Sequence, residues 1–578
     1  MIDDSSQLND GATLQAQVCI IGAGAAGITL ALELAGTGIS VLLLESGGLE
    51  PETETQNLYQ GVVADERLHS PPHRYRERRF GGSTTIWGGR CVPFDEIDFE
   101  PREYMPDSGW PITLADLLPH YPRANRLCEA GEFQYRAAGA LARPLPPMIA
   151  GFRSDHFSTD SLERFSCPTN FAARYEQRLR TAPNVRVLLH SNLVGVVFHP
   201  NGEAVESVVL SSLEGRKFTA RATHVVLAVG GLEVPRILLS NRDKWANGIG
   251  NEHDVVGRYY MCHIAGTIGT LKQNGPGDRV SHGYDVSDEG IYCRRRLALT
   301  SATQRRLRIG NFVGRLHHPR ITDPRHRTAV LSALQLAKGL ISYEYGKRLH
   351  GEERVTLGTW MSHVRNVLGG PHELLAFGHH MVRDRVLASR KFPSIIVKSS
   401  AGHYSLDFHA EQEPIPSSRV SLAADRDALG VPRVLVDWHY SAGDIATARQ
   451  AIKLFADDIA RSGIGTFEYD PASIELEMTR YGAYGGHHLG TARMGADPRT
   501  SVVDADCRIH GLRNLYVAGG AVFPTSSQAN PTLTIVALAM RLAAHLRAAL
   551  ADRPVIRDAT SAPALSAEQS DRFPLPSS

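Results

Sequence analysis

Two adjacent histidines, His487 and His488, stand immediately before Leu489-Gly490-Thr491 near the C-terminal end of the sequence. An alcohol whose carbon surrenders a hydride must also lose its hydroxyl proton, and an imidazole, titrating near pH 6.5, can take it. General-base help of that kind contributes roughly 10²–10⁴-fold. No acidic or cysteine partner stands at ligand spacing from the pair, so a metal site is not expected there. Further on, Gly519-Gly520 forms a turn and Asn530-Pro531-Thr532-Leu533-Thr534 has the form of a helix start, with Asn at the N-cap and Pro at the first helical position. A helix N-terminus carries roughly half a positive charge, which would stabilise negative charge appearing on a group set before it.

At the opposite end, Gly22-Ala23-Gly24-Ala25-Ala26-Gly27 follows a short apolar strand at 17–21 and opens a helix at 25–35. A second apolar strand at 40–44 ends at Glu45. This is a βαβ unit, whose parallel strands require a crossover. The first glycine permits the tight turn, the second lets backbone approach a diphosphate, and the third lets helix and strand pack closely. The phosphate charge then rests on the helix N-terminus, and an acid about 20 residues further on accepts ribose hydroxyls. The unit therefore binds a dinucleotide. Glu45 disfavours a 2′-phosphate but does not separate NAD from FAD. The glycine-dense segment 81–89, with Gly82, Ser83 and Thr85, begins to separate them. Its backbone N–H groups can reach the N5 and O4 edge of a flat ring, with Trp87 as a wall. The positive end of the helix starting near Asn530 would then face the N1–C2 edge of a flavin.

The elements that must position these groups fill a chain of 578 residues, long enough for two large domains or one interleaved pair. Lys and Arg total 62 against 61 Asp and Glu, so no long-range field favours nucleic acid or an anionic membrane. Seven cysteines are scattered without paired spacing, which fits reduced thiols and a cytoplasmic protein. The polar, acidic N-terminus is no secretory signal, and the apolar stretch 18–35 is broken by Gly22, Gly24, Gly27 and Glu33, so no membrane span is expected. From Val185, three strands closely spaced by turns suggest a meander, and a fourth leads to Gly230-Gly231 and a helix at 234–240. The basic run at 317–327 reads as a solvated loop. Asp444 is placed as the cap of an amphipathic helix whose Ile445, Ala448, Ile452, Phe455 and Ile459 share a core face. The tail at 554–578, rich in Ala, Ser, Asp and Pro, reads as disordered.

Seven ordered blocks, "GAGAAG", "GGSTTIWGG", "VVLAVGGLEVPRILLSN", "DVVGRYYMCH", "EQEPIPSSRVSL", "HHLGTARMG" and "NLYVAGGAVFP…ANPTLT", resemble the glucose–methanol–choline (GMC) oxidoreductases from about 18 to 546. That resemblance implies an α/β fold in which a Rossmann-like FAD-binding domain (14–130, 183–271, 488–550) is interleaved with a substrate domain on an antiparallel sheet (131–182, 272–487). It implies His487 as catalytic base and Asn530 as its catalytic partner. It implies FAD held by Gly22, Gly24, Ala26, Gly27, Glu45, Gly82, Ser83, Thr85, Trp87, Val194, Gly519, Gly520, Asn530, Pro531 and Thr532. Within the family the ending is most similar to pyranose 2-oxidase and bacterial sugar dehydrogenases. Ile86 stands where that oxidase attaches its flavin through histidine, so non-covalent FAD is expected. Gly88 replaces a threonine that assists oxygen, so a dehydrogenase is expected over an oxidase. Glu411, Gln412 and His488 are taken as substrate contacts favouring a sugar, glycoside or polyol. The electrons would pass to oxygen, a quinone or a redox protein, and the chain would work alone, as a homo-oligomer or with a partner subunit. The rivals are an apolar alcohol as substrate, a GMC-fold lyase that holds FAD without turning it over, and an inactive flavin-binding subunit.

Overall fold

The computed structural model describes residues 1–551 apart from 142–144, 275–279, 338–355, 389, 395, 398–401 and 481, so the tail at 554–578 lies outside the described residues. The run Gln17–Ile21 is buried throughout, and an apolar strand with no polar face belongs inside a parallel sheet. It forms the end of β1 (Thr13–Ile21), followed by α1 (Ala25–Leu34) and β2 (Val41–Leu44). β1 pairs in parallel with β2, Val18 against Val41 through Ile21 against Leu44. On its other side β1 pairs in parallel with β3 (Lys217–Leu227). The end of β3 takes Leu515–Val517 in parallel, and its beginning pairs antiparallel with Val205–Ser211, which returns to Asn192–Phe198. The meander therefore consists of Asn192–Phe198, Val205–Ser211 and β3, one strand further along than the three expected from Val185. The first of its anticipated strands, Val185–Leu189, instead pairs in parallel with β2 at the far side. Its apolar run VRVLL suits the two-sided burial found there.

A second, antiparallel sheet is centred on β4 (Met261–Gln273) and β5 (His403–Ala410), flanked by Phe312–His317 and Gly465–Glu468. β6 (Tyr484–Leu489) pairs with the start of β4, Met261 opposite Leu489. This pairing brings the histidine pair beside the second sheet. The helix α2 (Ala442–Arg461) covers that sheet with Ala448, Ile452, Phe455 and Ile459 in its core. Its cap is Ser441, not Asp444. The Ser441 hydroxyl accepts from Asp444 N at 3.0 Å and the Asp444 carboxylate accepts from Ser441 N at 2.8 Å, so Asp444 closes a capping box from within the first turn. The basic run is only partly solvated: His318, Ile321 and His326 are buried, and burial pushes the His326 imidazole down to about 4.

Two expected boundaries shift. The helix Phe171–Thr181 packs on α1 and on Val185–Leu189, so it belongs with the first sheet. Met261–Gln273 belongs wholly to the second. Finally α3 (Thr532–Leu550) packs on α1. Among the described residues it is the one helix long and apolar enough to cross a membrane, and its buried apolar positions place it in the first core.

Candidate active site

The carboxyl ends of β1, β2 and β3 open onto a cavity of about 1000 Å³ lined by Gly22, Gly24, Ala26, Glu45, Ala228 and Gly230 among others. That is where open parallel sheets take ligands. Gly22 has φ +100°, and a Cβ there would stand 2.7 Å from the Ala228 carbonyl oxygen. Gly27 does not line the cavity. A Cβ on it would come within 1.9 Å of the Gly22 carbonyl oxygen, so it serves the close packing of α1. A Cβ on Gly24 would meet nothing within 4 Å, which leaves its backbone open to a diphosphate. No side chain caps α1, so its first N–H groups stay available. Buried Glu45 accepts from Ala23 N at 2.8 Å and Gly47 N at 3.0 Å, which fix its carboxylate at the edge of the cavity. Burial pushes that carboxyl up, and the backbone donors draw it partly back. This donor set fits a dinucleotide.

Gly82 and Ser83 in the turn Gly82–Thr85, together with Trp87, line the same cavity. The Trp87 indole is fixed by a bond from Nε1 to the Thr169 carbonyl at 2.9 Å. Two expected contacts fall away. Thr84 lines the cavity in place of Thr85, whose hydroxyl donates to the Gly82 carbonyl at 2.9 Å. Ser191 and Leu193 line it in place of Val194, since neighbouring strand residues face opposite ways.

Gly519 and Gly520 with Asn530, Pro531 and Thr532 also line the cavity. α3 begins one residue later than its sequence suggests: Pro531 is the N-cap and Asn530 caps nothing. The Asn530 amide instead meets His487, Nδ2 lying 3.2 Å from Nε2. The other nitrogen of His487 lies 2.7 Å from His263 Nδ1. Burial, then His263 and Arg90, hold the His487 imidazole well below its usual range, so the ring is neutral. A neutral imidazole in such a cavity can accept a proton.

His488 also borders the cavity, but its Nδ1 lies 2.6 Å from the Tyr260 hydroxyl, which meets His69 Nε2 at 2.7 Å and Cys262 Sγ at 3.3 Å. Burial, His69 and Arg76 keep His488 neutral as well. His69, Cys262 and His488 bring metal-ligand atoms together, and the Tyr260 hydroxyl is hydrogen-bonded to all three.

The expected substrate contacts on and beyond β5 are displaced. Glu411 is wholly buried in a bidentate pair with Arg102, at 2.6 and 2.7 Å. The Gln412 carbonyl accepts from Cys262 N and Trp438 Nε1, while its amide donates to the His439 carbonyl. Neither lines the cavity. Sequence reasoning overlooked Arg76, Arg78 and Arg236, which gather on Glu233 at the cavity edge. Against the upward push of burial they draw the Glu233 carboxyl down to about 2. It also overlooked His263, which sits in the block "DVVGRYYMCH" and carried no spacing signal of its own.

Residues 17–382 match the family model described as FAD dependent oxidoreductase, and residues 414–539 match that described as GMC oxidoreductase. The 6'''-hydroxyparomomycin C oxidase of Streptomyces lividus is 24% identical over 92% of both chains. The fructose dehydrogenase large subunit of Gluconobacter japonicus is 26% identical over 92% of this chain and 97% of its own. The C-glycoside 3-oxidase of Microbacterium trichothecenolyticum is 39% identical over 22% of this chain and 24% of its own. Among solved structures, pyridoxine 4-oxidase from Mesorbium loti shares the fold at a TM-score of 0.50, with 18% identity over 92% of this chain and 99% of that one. By the extent of these matches, the chain belongs to the FAD-dependent oxidoreductases and carries the C-terminal region of the GMC oxidoreductases.

Proposed function

We propose that the protein oxidises a carbinol, CH–OH to C=O, on a sugar, glycoside or polyol, with His487 as the base. The observation that carries this reading is His487 Nε2 and Asn530 Nδ2 set 3.2 Å apart in the cavity that also holds Glu45 and the glycine loop. When bound, the flavin supplies the hydride acceptor. Gly22, Gly24, Glu45, Gly82, Ser83 and the start of α3 would hold it. A substrate hydroxyl placed beside the pair, within reach of both nitrogens, gives its proton to His487 while the Asn530 amide donates to the oxygen that becomes a carbonyl. Sugars and glycosides are favoured because the relatives' names speak of a fructose dehydrogenase and a C-glycoside oxidase. Exposed Ile86 offers no atom for a covalent flavin link, and Gly88 no hydroxyl to assist oxygen, which supports non-covalent FAD and a dehydrogenase. Seven unpaired cysteines support a reducing compartment such as the cytoplasm.

The test is anaerobic mixing of the yellow protein with D-glucose, methyl β-D-glucopyranoside, mannitol and geraniol while the flavin band is followed. Bleaching by a sugar, glycoside or polyol is expected, with faster re-oxidation by a quinone than by air. Bleaching by geraniol alone would move the substrate to apolar alcohols. A flavin that none of these alcohols bleaches would sink the proposal in favour of a lyase or a partner subunit.

A further inference from the structure

An imidazole that accepts a proton must present one bare nitrogen and carry its own hydrogen on the other. For His487 a chain of contacts decides which is which, because it ends on a group that can only accept. The Ser526 carbonyl oxygen lies 3.2 Å from His263 Nε2. A carbonyl has no hydrogen to give, so Nε2 of His263 carries one. His263 is wholly buried, and burial pushes it down to about 4, so the ring is neutral and its Nδ1 is bare. That bare nitrogen faces His487 Nδ1 across 2.7 Å, so His487 Nδ1 must be the donor. The bare nitrogen of His487 is then Nε2, which accepts from Asn530 Nδ2.

We propose that His263 is a positioning residue for this reaction: by accepting the Nδ1 hydrogen of His487 it holds the ring in the one tautomer whose Nε2 lone pair can meet a substrate hydroxyl. This rests on the reading of His487 as base. The anchor is firm. Ser526 is wholly buried and its hydroxyl accepts from Gln412 N at 2.8 Å, which ties the carbonyl to the strand end beyond β5. The charged and titratable groups around the pair are Arg90 with its partner Glu163, His488 beside it on β6, His409 stacked on His263 with centroids 6.2 Å apart, and Glu411 paired with Arg102. In the reaction the substrate O–H bond breaks and an N–H bond forms at His487 Nε2. The Nδ1 hydrogen stays on His487, because His263 already carries its hydrogen toward the carbonyl.

A neutron structure of the deuterated holoenzyme at pH 7.5 reads the chain directly. Deuterium is expected on His263 Nε2 and His487 Nδ1, and deuterium on His487 Nε2 instead would overturn the proposal. Stopped-flow flavin reduction, using the fastest-bleaching alcohol of the panel above, supplies the second arm. His263→Asn keeps an oxygen acceptor where Nδ1 stood and should stay within about tenfold of the wild type. His263→Phe removes the acceptor and should slow reduction by about 10²-fold with KM little changed. His263→Asp places a negative charge on the ring and should move the acid limb of the rate profile to higher pH. His263→Phe at the wild-type rate, while His487→Ala is slow, sinks the positioning role alone. His487→Ala at the wild-type rate sinks the base itself. If His263→Phe does not fold, the neutron map and the Asn and Asp variants still decide.

Discussion

His487 and His488 are neighbours in sequence and opposites in use. The first meets Asn530 at the cavity, and the second is engaged by Tyr260 beneath it. His487→Ala should lower flavin reduction by about 10²–10⁴-fold while the bound-flavin absorbance is unchanged, and reduction at the wild-type rate would remove His487 from the role. Because burial, His263 and Arg90 push its imidazole down, the acid limb of flavin reduction should lie below pH 6.5, with a plateau above it. The same depression is a stability statement. His488 is held below its unfolded value of about 6.5, so below that pH the unfolded chain binds a proton that the folded chain refuses. Stability from this group is full above about pH 6.5 and is lost as pH falls through the folded value. Urea unfolding between pH 8 and 5 should show the wild type weakening relative to His488→Gln. Parallel curves for the two would contradict it.

At the scale of elements, the glycine loop separates two requirements that its sequence writes side by side. Gly27→Ala drives a Cβ to within 1.9 Å of the Gly22 carbonyl oxygen and should destabilise the fold by about 1–3 kcal/mol or more, read by urea unfolding of the FAD-free protein. Gly24→Val meets no protein atom near its Cβ, so the FAD-free protein should unfold as the wild type does while FAD binding is lost. Equal unfolding midpoints for the two variants would refute this division. The loop ahead of α3 shows how Asn530 is held. The Ser527 hydroxyl donates to buried Asp98 at 2.6 Å and Arg296 donates to Gln528 at 2.9 Å.

Across the whole molecule, Arg102 and Glu411 join the N-terminal third to the second sheet, with side chains 2% and 0% exposed. Breaking a buried pair leaves a charge without compensation. Glu411→Ala should therefore cost about 3–5 kcal/mol in urea unfolding, and Arg102→Met with Glu411→Leu should recover most of that. Since Glu411 does not line the cavity, KM for the bleaching alcohol should be unaffected in the folded fraction. A large KM change would return Glu411 to the substrate.

The βαβ unit, its glycines, Glu45, the core stripe of α2 and the meeting of His487 with Asn530 were all legible in the sequence. Turn chemistry and side-chain period are local, and the motif blocks keep their order along the chain. The departures, at Thr85, Val194, Glu411 and Gln412, share a different origin. Which face a strand residue shows, and whether a buried carboxylate meets solvent, ligand or arginine, depend on what packs against it. His263 reaches His487 across 224 positions of sequence and Glu411 reaches Arg102 across 309. Contacts at that separation leave no periodic trace, because they exist only once the two sheets have closed on each other. The sequence by itself determined that a dinucleotide fold would carry a histidine pair ahead of its last strand and helix. The tertiary structure decided what each nitrogen of His487 meets, Asn530 at Nε2 and His263 at Nδ1, because those partners arrive only when distant segments pack together.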